Sequence, residues 1–201
     1  MSTSPTVHVI DDDEAMRHSL AFILEVNGYA VMLHESADAF LETPAEPGDG
    51  CVVTDIRMPG TSGLDLVRYL NERDARYAVI VMTGHGDVPL AVEAMKAGAL
   101  DFIEKPFADD ILLRAVRGAL ERRPVPANDD TRREAEARLA VLTPRERDVL
   151  LGVAAGKSNK VIALELDISP RTVEVYRANL MAKTGARSIA DLMRMALAVG
   201  L

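Results

Sequence analysis

The strongest constraint on the fold is a unit repeated through the first 120 or so residues: a short apolar run, a polar residue at its end, then a stretch with helical spacing. The runs fall at Val7–Ile10, Ala30–Leu33, Cys51–Thr54, Ala78–Met82 and, more weakly, Asp101–Glu104. Between and after them come helical segments at Arg17–Asn27, Ser36–Leu41, Gly63–Asn71, Val88–Ala97 and Asp109–Arg123. Short uninterrupted apolar runs suit strands buried on both faces, and helical crossovers make neighbouring strands parallel. The expected fold is α/β, a doubly wound five-stranded parallel sheet.

The pattern changes after Arg122. Pro124, Pro126, Asn128 and two aspartates give residues 123–138 a linker composition, although Thr131–Leu139 has helical character. From residue 139 the chain reads as an all-α domain of four helices. Thr143-Pro144-Arg145-Glu146 forms a capping box with proline at the first helical position. Asn159–Leu166 is a short helix, Ser169-Pro170 opens a longer one that stops at Gly185, and Ser188 caps the last. The expected domains are 1–122, a 123–138 linker and 139–201.

Charge follows the same division. Residues 1–123 hold 11 basic and 21 acidic side chains, against 12 and 10 in residues 124–201. The net charge of −8 therefore hides a mildly basic C-terminal part that can meet DNA. No apolar run reaches the roughly 20 residues of a membrane helix, and Met1–Pro5 lacks the basic start of a signal peptide. The single cysteine, Cys51, lies in an apolar run and reads as a core residue. A cytoplasmic protein without membrane association is expected.

The polar residues at the strand ends carry the chemistry. Asp11, Asp12 and Asp13 follow the first run, Asp55 the third, Thr83 the fourth and Lys105 the fifth. In an open parallel sheet these positions converge on the crevice beyond the carboxyl ends of the strands. Clustered carboxylates suit a hard cation such as Mg²⁺. A carboxylate can attack phosphorus, and the incoming group needs a metal, a lysine and a hydroxyl donor.

Asp11-Asp12, Asp55 with Met58-Pro59 and Gly63, Thr83-Gly84 and Lys105-Pro106-Phe107 resemble the signature set of CheY-like receiver domains, over residues 6–122. The resemblance implies a flavodoxin-like receiver in which Asp55 takes a phosphoryl group from a sensor histidine kinase. It implies Mg²⁺ held by Asp12, Asp55 and the Arg57 backbone carbonyl, with Asp11 acting partly through water. Thr83 and Lys105 would bind phosphoryl oxygens, Phe102 would be the switch aromatic, and the Lys105-Pro106 bond would be cis. Asp13 can instead face solvent.

In the C-terminal part, Ile162, Ala163 and Leu166 share one helical face. Winding Pro170–Lys183 at about 100° per residue puts Val173, Tyr176, Leu180 and Thr184 inward. Arg171, Glu174, Val175, Ala178, Asn179 and Ala182 face outward, a mixed surface able to enter a major groove. Lys157, Lys160, Arg171, Thr172 and Lys183 flank it as candidate phosphate contacts. From the residues alone, a plain four-helix bundle fits equally well.

Leu142–Glu146, Gly156–Ala163 and Ser169–Val175 resemble the LuxR-type helix-turn-helix. Together the two resemblances imply the NarL/FixJ class of regulators. The runs Thr83–Pro89 and Ser169–Arg177 are most similar to its FixJ branch, the nitrogen-fixation regulators of rhizobia and relatives; regulons for nodulation or aromatic catabolism stay open. Tyr176 departs from the usual His, and Arg177, near the inward face, can pair with a carboxylate.

Such a protein receives a phosphoryl group rather than turning over a substrate, with at most weak self-dephosphorylation. It binds promoter DNA and works with RNA polymerase. Phosphorylation would draw Thr83 inward, let Phe102 turn in, and alter the helix Val88–Ala97 and strand 101–104. Val92, Lys96 and Asp101 there can pair with a two-fold copy, making a monomer into a homodimer. Two other functions fit the residues less well. A haloacid-dehalogenase-type phosphatase wants a second Asp where Arg57 stands, and a docking module leaves Thr83 and Lys105 unexplained.

Overall fold

The computed structural model describes residues 6–43, 50–73, 77–84, 88–121, 129–186 and 188–201. The readings made on Met1–Pro5, on His85, Gly86 and Asp87, and on Pro124, Pro126 and Asn128 lie outside them. The chain divides into two compact units, residues 1–85 with 97–124, and residues 86–96 with 125–201.

The first unit is built on five parallel strands: β1 (Thr6–Ile10), β2 (Ala30–His34), β3 (Gly50–Asp55), β4 (Tyr77–Thr83) and β5 (Asp101–Glu104). Their order is β2-β1-β3-β4-β5, so the chain changes direction of travel across the sheet between β1 and β3. Its helices are α1 (Glu14–Val26), α2 (Ala37–Glu42), α3 (Gly63–Arg73) and α5 (Asp109–Glu121), while α4 (Val88–Lys96) falls in the second unit. Asp13 caps α1 by accepting from the Ala15 and Met16 amides. Gly28, at φ +87°, ends it.

Two layers cover the sheet. Leu20 and Leu24 of α1 and Leu112, Val116 and Ala119 of α5 join Val7, Val9, Cys51, Val53, Ile80, Met82 and Ile103 in one buried cluster. On the other face the rings of His8, His34, Phe40 and Tyr77 pack together. Burial pushes the Cys51 thiol pKa up, which keeps it neutral and unreactive.

The second unit holds α4 (Val88–Lys96), α6 (Asp129–Leu139), α7 (Pro144–Ala154), α8 (Asn159–Leu166), α9 (Pro170–Thr184) and α10 (Ile189–Ala198). Residues 129–138, inside the span expected as linker, form α6 together with Leu139, in keeping with the helical character read at Thr131–Leu139, and bury Ala135 and Leu139. Its Arg132–Glu136 and Arg138–Glu134 pairs account for its charged composition. The Thr143–Glu146 capping box is formed in full. Gly152 lets α8 approach α7, because a Cβ there would lie 2.8 Å from the Ile162 side chain. The turn between α8 and α9 passes through Asp167, in the left-handed region at φ +54°.

Candidate functional site

Parallel register brings the strand-end residues together. Ile10 pairs with Thr54 and Asp55 with Met82, so Asp11, Asp55 and Thr83 emerge at one edge of the sheet. The Lys105 amide donates to the Thr83 carbonyl at 2.7 Å, tying the end of β5 to the end of β4. From there Lys105 Nζ donates to Asp55 Oδ1 at 2.5 Å and to Asp11 Oδ2 at 2.9 Å. The other oxygens are held by backbone: Asp55 Oδ2 by the Arg57 amide at 2.7 Å, Asp11 Oδ1 by the Asp13 amide at 2.9 Å. Asp11 is buried and the Asp55 side chain is 13% exposed. Burial alone would lower the Lys105 pKa, but hydrogen bonds and charge from Asp55 and Asp11 outweigh it and raise it. The Lys105–Pro106 bond is cis, as the resemblance implies.

Thr83 sets the pocket apart from the rest of the described core. It is fully buried, yet its Oγ1 has no hydrogen-bond partner, the only such side-chain atom found among the described residues. An unsatisfied buried hydroxyl costs on the order of 1–3 kcal/mol. It suits a site whose acceptor arrives with a ligand.

The donor set also fits a hard cation. Among the described residues no three His, Cys, Asp or Glu side chains form a ready metal cage. Mg²⁺ does not require one, since it is commonly held by one or two carboxylates and keeps several waters. Asp11 and Asp55 share Lys105, Asp12 is exposed on the adjoining β1–α1 loop, and Arg57 lies near the start of the β3–α3 loop. Asp13 is a helix cap rather than a pocket acid.

The residues expected to form a dimer face are unequally displayed. Lys96 is exposed and Asp101 is half-buried, as is Phe102, the expected switch aromatic. Asp101 accepts from the Phe102 amide. Val92, however, is 1% exposed and belongs to the apolar cluster of the second unit, with Leu139, Val149, Leu192 and Met193. The sequence placed Val92 at the surface because the helical pattern shows only which residues share a face. It cannot show that a second apolar layer covers it.

In α9 the two faces fall where the winding puts them. Val173, Leu180 and Thr184 are buried and Tyr176 packs on the same cluster. Arg171, Glu174, Val175, Ala178, Asn179 and Ala182 are all exposed. Lys160 is exposed, Lys157 and Thr172 are half-exposed, and several charges pair locally. Arg171 meets Glu174 at 2.9 Å and Lys157 meets Glu165 at 2.7 Å. Arg177 donates to the Asn159 side-chain oxygen at 2.8 Å.

Lys183 has a structural tie that sequence reasoning missed. Its Nζ donates to Glu146 at 2.8 Å, joining α9 to the capping box of α7. That ammonium, then the Thr143 backbone, holds the Glu146 carboxyl down to about 2 despite its burial. Nothing local links positions 37 residues apart. The available signal was a capping-box Glu inside an apolar domain, which needs a cation.

Comparison with known proteins agrees with both halves. Residues 7–117 match the family of response regulator receiver domains, and residues 140–196 match the luxR family of bacterial regulatory proteins. The transcriptional regulatory protein FixJ of Azorhizobium caulinodans is 57% identical over 201 residues, covering 100% of this chain and 95% of that protein. FixJ of Rhizobium meliloti is 54% identical over 199 residues, covering 98% of each. Full-length FixJ from B. japonicum, a crystal structure, aligns with a TM-score of 0.56 at 49% identity, covering 99% of this chain and 98% of that one. With this fold and these matches, the chain belongs to the FixJ-like response regulators, in which a receiver domain is joined to a LuxR-family DNA-binding domain.

Proposed function

We propose that Asp55 is the phosphoacceptor and that its phosphorylation governs DNA binding by the C-terminal domain. The observation that carries this reading is the pairing of Lys105 with Asp55 and Asp11 beside the orphaned Thr83 hydroxyl. An Asp55 carboxylate oxygen attacks the phosphorus of a kinase phosphohistidine. The phosphorus–nitrogen bond breaks, the phosphorus–oxygen bond to Asp55 forms, and the imidazole takes up a proton. Asp11, Asp12, Asp55 and the Arg57 carbonyl would hold Mg²⁺, which when bound neutralises phosphoryl charge. Lys105 then gives up its carboxylate contact for a phosphoryl oxygen, and Thr83 Oγ1 donates to another.

Thr83 moving onto the phosphoryl group leaves space for Phe102, which biases one of two packings. One helix-turn-helix reads a half-site, so a homodimer on a near-palindrome is the DNA-bound form. Lys96 and Asp101 remain suited to a two-fold contact, whereas Val92 must first be uncovered. On α9, Glu174, Val175 and Ala178 would meet base edges. Lys157, Lys160, Arg171, Thr172 and Lys183 would hold phosphates, with Lys183 doing so only while shared with Glu146. The protein would act in the cytoplasm with RNA polymerase at nitrogen-fixation promoters, the regulon expected from the FixJ likeness; among the described residues no helix is long and apolar enough to cross a membrane.

Incubation with acetyl phosphate and Mg²⁺ should add one phosphoryl group, mapped to Asp55 by peptide mass analysis. Sedimentation with beryllofluoride and Mg²⁺ should convert monomer to dimer. Uptake by Asp55→Asn at the wild-type rate would remove the assignment. A phosphorylated protein that stays monomeric at micromolar concentration while activating fully would remove the dimer step.

A further inference from the structure

The β3–α3 loop, residues 56–62, faces the pocket at one end. There the Arg57 amide donates to Asp55, and the Arg57 carbonyl is the oxygen expected on the cation. The loop must then turn back sharply. The Ile56 amide donates to the Met82 carbonyl at 2.9 Å and the Gly63 amide to the Ile56 carbonyl at 3.2 Å. Gly63 passes so close beneath Asp55 that a Cβ would lie 2.2 Å from the Asp55 carbonyl oxygen.

The middle of this loop is gripped from a distant element. Asp38, in the first turn of α2, accepts a hydrogen bond from Thr61 Oγ1 at 2.6 Å, and the Thr61 amide points at its other oxygen at 3.5 Å. Gly60, at φ +75°, makes room for the carboxylate, since a Cβ there would lie 2.8 Å from Asp38 Oδ2. The glycine serves both the backbone turn and the seat of the carboxylate. A side chain that bridges 23 residues of sequence to fix a loop five or six residues past the phosphoacceptor has no need to do so for capping, because Ser36 already caps α2.

We propose that Asp38 is a positioning residue for the phosphoacceptor pocket, its carboxylate clamping Gly60–Thr61 so that the Arg57 carbonyl stays aimed at the divalent cation. The proposal rests on the reading of Asp55 as a Mg²⁺-dependent phosphoacceptor. The physical basis is general: groups behind a metal ligand set its direction, and their loss typically weakens metal binding about tenfold or more. Because Asp38 touches neither the cation nor the phosphoryl group, its removal should affect cation affinity rather than the maximal rate.

The test uses the full chain and four variants: Asp38→Ala, Thr61→Val, Thr61→Ser and the Asp38→Ala/Thr61→Val pair. Mn²⁺ binding without phosphodonor is measured by electron paramagnetic resonance, and acetyl-phosphate uptake is measured against Mg²⁺ concentration. Asp38→Ala and Thr61→Val should each weaken Mn²⁺ binding by roughly tenfold and raise the half-saturating Mg²⁺ by a similar factor. The rate at saturating Mg²⁺ should stay within about twofold of wild type. Thr61→Ser, which keeps the hydroxyl, should bind as wild type does. The double variant should be no worse than either single one, since both break the same contact. Mn²⁺ affinity unchanged in Asp38→Ala and Thr61→Val would overturn the clamp, as would additive losses in the double variant. Wild-type protein that takes up phosphate on Asp55 in the same assay isolates that failure from the parent reading. Wild-type protein that neither binds Mn²⁺ nor gains phosphate overturns both.

Discussion

The strand-end pocket and the outward face of α9 hold similar charged residues in opposite settings. In the pocket, Asp11, Asp55 and Lys105 are largely withdrawn from water and pair across the sheet, and Thr83 is buried with nothing to bond. On α9, Arg171 and Glu174 pair with each other in solvent, where such contacts contribute at most about 1 kcal/mol. Under the proposed function, the pocket would be preorganised for one small anion and tolerate little change, whereas the exposed α9 charges would be exchanged for DNA phosphates. Chemistry would then be fixed in the first region and affinity adjustable in the second.

The largest effect should come from removing the cation shared by the pocket acids. Lys105→Ala leaves Asp11 and Asp55 without their common partner and removes a donor for the developing charge. Phosphoryl uptake from acetyl phosphate should fall by about 100-fold or more. A loss under threefold would mean that the pairing is ornamental, and the pocket would resemble the α9 face after all.

A pH experiment probes the buried histidines next to the pocket. Burial, and then the neighbouring His8, hold the His34 imidazole down to about 4. His8 Nδ1 lies 3.1 Å from His34 Nε2, with Phe40 and Tyr77 around them. Because the folded pKa lies below the unfolded one, near 6.5, stability is complete above that value and is lost as pH falls toward 4. The slope should approach 1.4 kcal/mol per pH unit at most, or about 1 in practice. Urea unfolding at several pH values should show it, and His34→Phe should flatten it.

Thr83→Val separates stability from function in the pocket. Replacing an unsatisfied hydroxyl with a methyl should leave the unphosphorylated fold as stable or up to about 1 kcal/mol more stable. The same change should weaken the response to phosphorylation. Loss of stability instead would show that Thr83 already has a partner.

The smallest effect belongs to the DNA face. Lys160→Ala should reduce the salt slope of DNA binding by roughly one unit at every sequence tested. Lys183→Ala should mainly lower the melting temperature, because that lysine neutralises Glu146. Equal salt-slope effects from the two would erase the distinction between a free and a structurally committed cation.

The same contrast explains what was legible from sequence. The sheet and the pocket were readable because parallel strands turn one-dimensional placement into convergence: a polar residue after each apolar run must arrive at the same edge. The faces of α9 were readable for a similar reason, helical winding. The Lys183–Glu146 tie, the Asp38–Thr61 clamp and the His8–His34 pair were not, since each joins elements whose approach no local pattern encodes. Val92 was misplaced for that reason too, as its burial depends on a layer elsewhere in the chain. The helical character of Thr131–Leu139 was legible but its packing was not, because α6 is so highly charged that only Ala135 and Leu139 reveal a packed side.

The central question is whether Asp55 chemistry sets DNA affinity. Fluorescence anisotropy of a labelled near-palindromic promoter fragment can be followed with wild-type protein and Asp55→Asn, each with and without acetyl phosphate and Mg²⁺. The account predicts that phosphodonor raises wild-type affinity by about tenfold or more, the range of a typical coupling energy, and leaves Asp55→Asn unchanged. An equal rise in both proteins, or none in a wild type shown by mass to be phosphorylated on Asp55, would contradict it.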